Sequence, residues 1–364
     1  MKIQGIDHVE FYVGDLQQRA ADLCTTLGFR VHGRGGPDTG LLGQRSLLLG
    51  QGRAQIVLTA ALDPGHPAAG YVQRHGDGVA AVALRTDDVR AAFAEAVAGG
   101  ATALAGPAYA SSDSGQVGTA SVSGFGDVTH RLIERTGLAG AAGVADEFAP
   151  GMIRVTPPAP DPADGVFEAI DHIAVCLPAG ELAGTVRFYQ EAFGLGEIFD
   201  ERIEVGGQAM LSKVVQDATR EVTFTLIEPD LGRDPGQIDE FLASHGGAGV
   251  QHVALRTGDI TNAVRVLAGR GVEFLSTPAG YYESLERRLG ELAIPARQLQ
   301  QLNILADRDR WGQMFQIFAR SMHERRTFFF ELIERRGALT FGTRNIKALY
   351  EALERRRALG DGHV

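Results

Sequence analysis

Three polar side chains stand in segments that otherwise read as buried β-strands: His172 in AIDHIAVCL, His252 in GVQHVAL and Glu331 in TFFFELIER. A strand sends successive side chains to opposite faces, which groups Ile170, His172, Ala174 and Cys176 on one side and Asp171, Ile173, Val175 and Leu177 on the other. One side is hydrophobic core, so His172 points with small neighbours toward the opposite side, where a cavity can form. A carboxylate placed between Phe330 and Leu332 is costly to bury unless it is paired or binds a metal. Two imidazoles and one carboxylate on three strands make a 2-His-1-carboxylate facial triad, which leaves three adjacent positions of an octahedral metal open and suits ferrous iron. With neutral histidines, the divalent ion and the carboxylate sum to a single positive charge, so a monoanionic chelating substrate gives a neutral complex in a dry pocket. A lone strand histidine is more often structural, and His8, His32, His66, His75, His130, His245, His323 and His363 are read as structural or surface residues.

The elements that must position these three groups repeat along the chain. IDHVEFYVGDLQQRAADLCTTLGF from Ile6 matches IDHIAVCLPAGELAGTVRFYQEAFGL from Ile170, GVAAVALRTDDVRAAFAEAVAGGA from Gly78 matches GVQHVALRTGDITNAVRVLAGRGV from Gly249, and HRLIER from His130 matches FELIER from Phe330. Each copy opens on strand-like alternation and continues at helical period, with Leu16, Ala20, Leu23 and Leu27 in one copy and Ile260, Val264 and Leu267 in another. The helices are expected to close at Gly28, Gly194 and Gly271, as left-handed caps prefer. A run of strands follows each helix, giving four units, two on each side of a proline-rich seam. That seam, residues 149–165, carries Pro150, Pro157, Pro158, Pro160 and Pro162 and is expected to be a linker between a first domain, 1–148, and a second, 166–364. Across the repeat His172 meets His8, but His252 meets Ala81 and Glu331 meets Arg131. The first half therefore cannot bind the same metal, and one site per chain is expected, with the first half as scaffold or assembly surface.

This pattern resembles the vicinal oxygen chelate superfamily, an α+β fold in which βαβββ modules pair. The resemblance implies four such modules forming two open barrel-like domains. The text GAGVQHVAL, FLSTPAGYYESL, NILADRD, QIFAR, FFFELIER and FGTRNIKALYEALE narrows it to the 4-hydroxyphenylpyruvate dioxygenase family of keto-acid dioxygenases. Membership implies that His172, His252 and Glu331 hold Fe(II) and that the substrates are 4-hydroxyphenylpyruvate and dioxygen. It also implies a pocket lined by Ser212, Gln237, Gln251, Gln316, Phe318, Phe329, Phe341 and Asn345, the polar ones serving the keto acid and phenol and the phenylalanines enclosing the ring. Two stretches depart from typical members. A Pro-Ile-Asn-Glu-Pro run is replaced by Thr225, Leu226, Ile227, Glu228 and Pro229, and a phenylalanine by Ile346. Both resemble the 4-hydroxymandelate synthase members, in which benzylic hydroxylation replaces the ring attack that yields homogentisate; that branch feeds 4-hydroxyphenylglycine to nonribosomal peptide antibiotics. A displacement of about 1 Å can change a rate about 100-fold, so two pocket substitutions suffice to redirect the product. A metal-free binding protein of the same superfamily would have no use for two histidines and a buried glutamate in one half.

Composition bounds the rest. The 364 residues suggest two or three domains, and 44% hydrophobic with 22% charged residues is a soluble, folded balance. A formal charge of -10, with no basic run apart from Arg355 to Arg357, argues against nucleic acid as a partner. No apolar run of about 20 residues suggests a membrane span, and MKIQGIDHVEFYV moves into a strand pattern without a signal-like apolar region. Cys24 and Cys176 lie far apart, which argues against a disulfide and for buried thiols in a reducing, cytoplasmic setting. A homo-oligomer is left open. Ile346, Leu349, Tyr350 and Leu353 share one face of a helix expected over Asn345 to Leu359, a candidate lid.

Overall fold

The computed structural model describes residues 2–112, 115–137, 147–155 and 165–340, together with residues 345, 347 and 348. The first module runs β1 (Ile3–Tyr12), α1 (Leu16–Leu27), β2 (Arg30–Gly35), β3 (Gln44–Gln51) and β4 (Ala54–Ala61). After α2 (Pro67–His75), the second runs β5 (Gly78–Thr86), α3 (Val89–Ala98), β6 (Ala103–Ser112), β7 (Gly115–Ser123) and β8 (Thr129–Thr136). A hairpin of β9 (Glu147–Ala149) and β10 (Met152–Arg154) follows. The third module is β11 (Ala169–Cys176), α4 (Leu182–Phe193), β12 (Gly196–Val205), β13 (Gln208–Gln216) and β14 (Thr223–Pro229), and α5 (Gln237–His245) leads to the fourth. That one runs β15 (Gly249–Arg256), α6 (Ile260–Gly269), three short helices α7 (Ala279–Glu283), α8 (Leu285–Leu289) and α9 (Ala296–Gln301), then β16 (Leu305–Arg308), β17 (Gln313–Phe318) and β18 (Phe329–Arg336).

Two sheets result, in the orders β6-β7-β8-β5-β1-β4-β3-β2-β10-β9 and β12-β13-β14-β11-β15-β18-β17-β16. In each, the opening strands of two modules pair antiparallel at the centre, and each also pairs parallel with the last strand of its own module. The three strands bearing the candidate ligands, β11, β15 and β18, are therefore neighbours. The helices stop where left-handed backbone is needed: Gly28 and Gly194 cap α1 and α4 at positive φ, and Gly271 takes the same conformation just past α6. Their buried stripes, Leu16, Ala20, Leu23 and Leu27 in α1 and Ile260, Val264 and Leu267 in α6, pack with Val9, Phe11, Ile173, Val175 and Leu255 in one core that both halves share. From His172 onward, alternation sends the even-numbered residues of β11 to the opposite, concave face, whereas Ile170, expected on that side, packs against the shared core because the strand pairing shifts between Ile170 and His172.

The expected linker needs a correction. Met152–Arg154 pairs with β2, so residues 149–154 belong to the first sheet rather than to a linker, and residues 156–164 of that seam lie outside the described residues. Pro150 does not break the hairpin because it sits in the turn, followed by Gly151 at φ 73°, the conformation that such a turn requires. The hairpin also has a core of its own to bury: Phe148 is fully buried with Leu48, Val57 and Met152 on the concave side of the first sheet.

Candidate metal centre

His172 on β11, His252 on β15 and Glu331 on β18 converge, each offering one ligand atom within 4.8 Å of the others. His172 Nε2 lies 3.5 Å and His252 Nε2 3.3 Å from the same Glu331 Oε2. Two cis ligands each about 2.1 Å from an octahedral ion sit about 3 Å apart, so this spacing and this nitrogen and oxygen donor set fit a divalent transition metal. All three residues are buried. Burial alone would lower the His172 pKa, yet the carboxylates of Glu331 and Asp171 outweigh it and push it up to about 9. His252 is lowered, chiefly by burial. Burial would raise Glu331, but the two imidazoles hold it at about 2. The carboxylate is thus ionised and aimed at both rings, with a protonated His172 supplying the opposite charge that such a buried group calls for.

Each histidine is braced by the residue before it, for a reason that alternation does not show. The pairing of β11 with β15 skips Asp171 between Ile170 and His172, and skips Gln251 between Val250 and His252. These are β-bulges, which turn the extra residue toward the side chain that follows it. Asp171 Oδ1 lies 2.9 Å from His172 Nδ1 and Gln251 Oε1 lies 3.3 Å from His252 Nδ1. Arg335, from the end of β18, donates to both oxygens of Asp171 at 2.8 and 2.9 Å, and its charge holds that carboxyl well below the usual range against the effect of burial. Asp171, assigned by alternation to the hydrophobic face, therefore belongs beside His172, and Arg335 joins the centre as a residue that spacing did not single out. The match of HRLIER, which carries Arg135, with FELIER, which carries Arg335, was the available signal.

The other sequence-predicted residues fall around the same concave face. Ser212 pairs in register with Ile227, and Thr225 with Ala174, which itself pairs with His252. The Ser212 and Thr225 hydroxyls are buried with no hydrogen-bond partner among the described residues, which leaves both able to bond a guest. Ile227, Phe318, Phe329 and Cys176 form an apolar lining with Ile238 and Phe241 of α5 and with Ala348. The Phe329 ring stacks on His252 at 4.9 Å and 23°, while Phe318 meets both edge-on. Gln237 opens α5 next to that lining. Gln316 is engaged twice: its Nε2 donates to Glu331 Oε1 at 2.8 Å, and its Oε1 accepts from Asn345 Nδ2 at 2.7 Å. Tyr281, a residue that the sequence reading missed, continues the chain with its hydroxyl 2.8 Å from Asn345 Oδ1. Phe341, Ile346 and the expected lid helix beyond Ala348 lie outside the described residues. A separate hollow of about 370 Å³, between α1 and the segment 319–323, contains none of the three ligands.

The first half shows what replaces a metal. Ala81 pairs with Glu10 as His252 pairs with Ala174, and Arg131 pairs with Ala83 as Glu331 pairs with Ala254. Arg131 reaches back to form an ion pair with Glu10, whose other oxygen accepts from Thr59 Oγ1 at 2.6 Å. The guanidinium supplies the positive charge in place of a metal ion, and Phe148 fills the concave face, its ring 5.0 Å from that of His8.

Comparison with known proteins gives a consistent picture. Two models of the glyoxalase/bleomycin resistance protein/dioxygenase superfamily match residues 7–119 and 169–289. A 4-hydroxyphenylpyruvate dioxygenase of Yarrowia lipolytica is 34% identical over 98% of this chain and 92% of its own length, and one of Xenopus tropicalis is 34% identical over 95% and 90%. The solved structure of a mutant of 4-hydroxymandelate synthase from Streptomyces coelicolor is 42% identical with a TM-score of 0.87, covering 98% of this chain and 100% of that one. No helix among the described residues is long and apolar enough to cross a membrane.

Proposed function

The chain belongs to the 4-hydroxyphenylpyruvate dioxygenase family of the glyoxalase/bleomycin resistance protein/dioxygenase superfamily, and from that premise we propose that it is an iron(II)-dependent 4-hydroxymandelate synthase. The overall reaction would convert 4-hydroxyphenylpyruvate and dioxygen to 4-hydroxymandelate and carbon dioxide. The observation that carries the reading is the meeting of His172, His252 and Glu331 on the concave face beside an apolar lining. Iron, when bound by these three groups, supplies the open positions at which a 2-keto acid and dioxygen are brought together and the oxidation occurs.

The chain's own residues account for binding and orientation. Phe318 and Phe329 offer ring faces and edges to the aromatic part of the substrate, and Ser212 and Thr225 offer unused hydroxyls to its polar ends. Gln316, held by Asn345, occupies Glu331 Oε1, so Oε2 is the oxygen presented to the metal and both histidines. Ile227, buried in the lining, offers no polar anchor there and leaves the ring free to seat differently. Ile346 acts in the same sense through its smaller, branched side chain. These two positions support the benzylic outcome over homogentisate, and with it the supply of 4-hydroxyphenylglycine for peptide antibiotics. Two free thiols, Cys24 and Cys176, accord with a reducing, cytoplasmic setting.

Chromatography of the product from 4-hydroxyphenylpyruvate, ferrous iron and air tests the proposal. Mainly 4-hydroxymandelate is expected; mainly homogentisate would favour the alternative, a 4-hydroxyphenylpyruvate dioxygenase, the name that its Yarrowia and Xenopus relatives carry.

A further inference from the structure

The same three-residue brace is built twice in this chain, once beside a metal site and once where there is none. In the second half, Asp171 is bulged out of β11, accepts from His172 Nδ1 at 2.9 Å and is held by Arg335 at 2.8 and 2.9 Å. In the first half, Asp7 is bulged out of β1 between Ile6 and His8, lies 2.8 Å from His8 Nδ1 and is held by Arg135 at 2.8 and 3.0 Å, with Arg85 adding a further contact at 3.2 Å. The Asp7 side chain is fully buried and that of Asp171 is 7% exposed, and each arginine also bonds backbone carbonyls, Thr340 O for Arg335 and Phe148 O for Arg135.

An imidazole binds a metal through the nitrogen that carries no proton, and which nitrogen that is depends on what the other one bonds. A carboxylate has no hydrogen to give, so an ionised Asp171 can only accept, which keeps a proton on Nδ1 and makes Nε2, the nitrogen facing Glu331 and His252, the one whose lone pair a metal takes. The bidentate guanidinium prevents the carboxylate from turning away or taking up a proton. Resting on the iron-enzyme reading, we propose that Asp171, fixed by Arg335, is a positioning residue that holds His172 in its metal-binding tautomer. His252 has the weaker form of the brace, since Gln251 is neutral and its contact is 3.3 Å long. Asp171 thus sets the binding strength of the pair of histidines more than Gln251 does.

The duplicate supplies a control that separates positioning from plain structural support. Asp171→Asn and Asp7→Asn remove the same charge from the same kind of bulge, and both are expected to lower thermal stability, Asp7→Asn at least as much because it also loses Arg85. An asparagine can present its NH2 to Nδ1, which selects the other tautomer and turns an N–H toward the metal. Titration of the full-length protein with Co(II), read by calorimetry and visible absorption, is expected to show affinity lowered roughly 10- to 100-fold in Asp171→Asn. The Asp7→Asn protein is expected to bind Co(II) as wild type does. Equal affinity in the two variants would overturn the inference while leaving the metal site intact, whereas a wild-type protein that takes up no Co(II) would instead overturn the reading on which it rests. Should Asp171→Asn not fold, Arg335→Lys decides. It keeps a cation but loses the bidentate clamp, so a smaller but measurable loss of Co(II) affinity supports the inference and wild-type affinity refutes it.

Discussion

Phe148 explains physically why the first sheet holds a plug rather than a ligand, and its removal makes a quantitative test. The ring has no exposure to solvent, touches Leu48, Val57 and Met152, meets His8 at 5.0 Å, and lies under the guanidiniums of Arg135 at 4.5 Å and Arg154 at 5.1 Å. Truncating a fully buried phenylalanine to alanine costs about 3–5 kcal/mol, since a cavity is left that the sheet cannot fully close. Each cation over the ring adds roughly 0.5–1 kcal/mol, so the upper part of that range is expected for Phe148→Ala. The two arginines would also lose the ring they share; burial together with Arg135 already lowers the Arg154 pKa to about 10. Urea unfolding followed by circular dichroism reads the loss, and Co(II) titration of the folded variant reads the second half. Wild-type Co(II) affinity is expected, because Phe148 packs on the other sheet. A destabilisation below about 1 kcal/mol would show that the hairpin merely covers the sheet. Impaired metal uptake by the folded variant would show that the two concave faces are not independent.

The metal-free centre carries a proton at neutral pH, because His172 is pushed up to about 9 while Glu331 is ionised and His252 is lowered toward neutrality. Loading a divalent ion should release about one proton per site at pH 7, and affinity should rise about tenfold per pH unit towards 9 and flatten above it. Calorimetry in two buffers of different ionisation enthalpy measures this, and heats that do not depend on the buffer would refute the assignment. The sign for the metal-free fold is opposite: the raised His172 pKa stabilises it fully below the unfolded value of about 6.5, and that contribution disappears as the pH rises through 9. Ile346→Phe should shift part of the product from 4-hydroxymandelate to homogentisate, and an unchanged product ratio would reject this account of selectivity.

What could be read from the sequence alone was what depends on local periodicity and on repetition. Period-two alternation placed His172 opposite the hydrophobic face, helical period marked the stripes of α1 and α6, and glycine marked their ends, because each of these follows from backbone geometry over a few residues. The repeat also paired His252 with Ala81 and Glu331 with Arg131, as the strand registers do. Tertiary structure alone decided the bulges at Asp171 and Gln251, the clamp of Arg335, the chain from Tyr281 through Asn345 and Gln316 to Glu331, and the fate of the hairpin at Phe148. A bulge exists only relative to the strand that pairs with it, and a hydrogen bond spanning 164 residues, as between Asp171 and Arg335, leaves no spacing to detect. The ligands could be named from their own strands; what aims them is set by register between strands far apart in the chain.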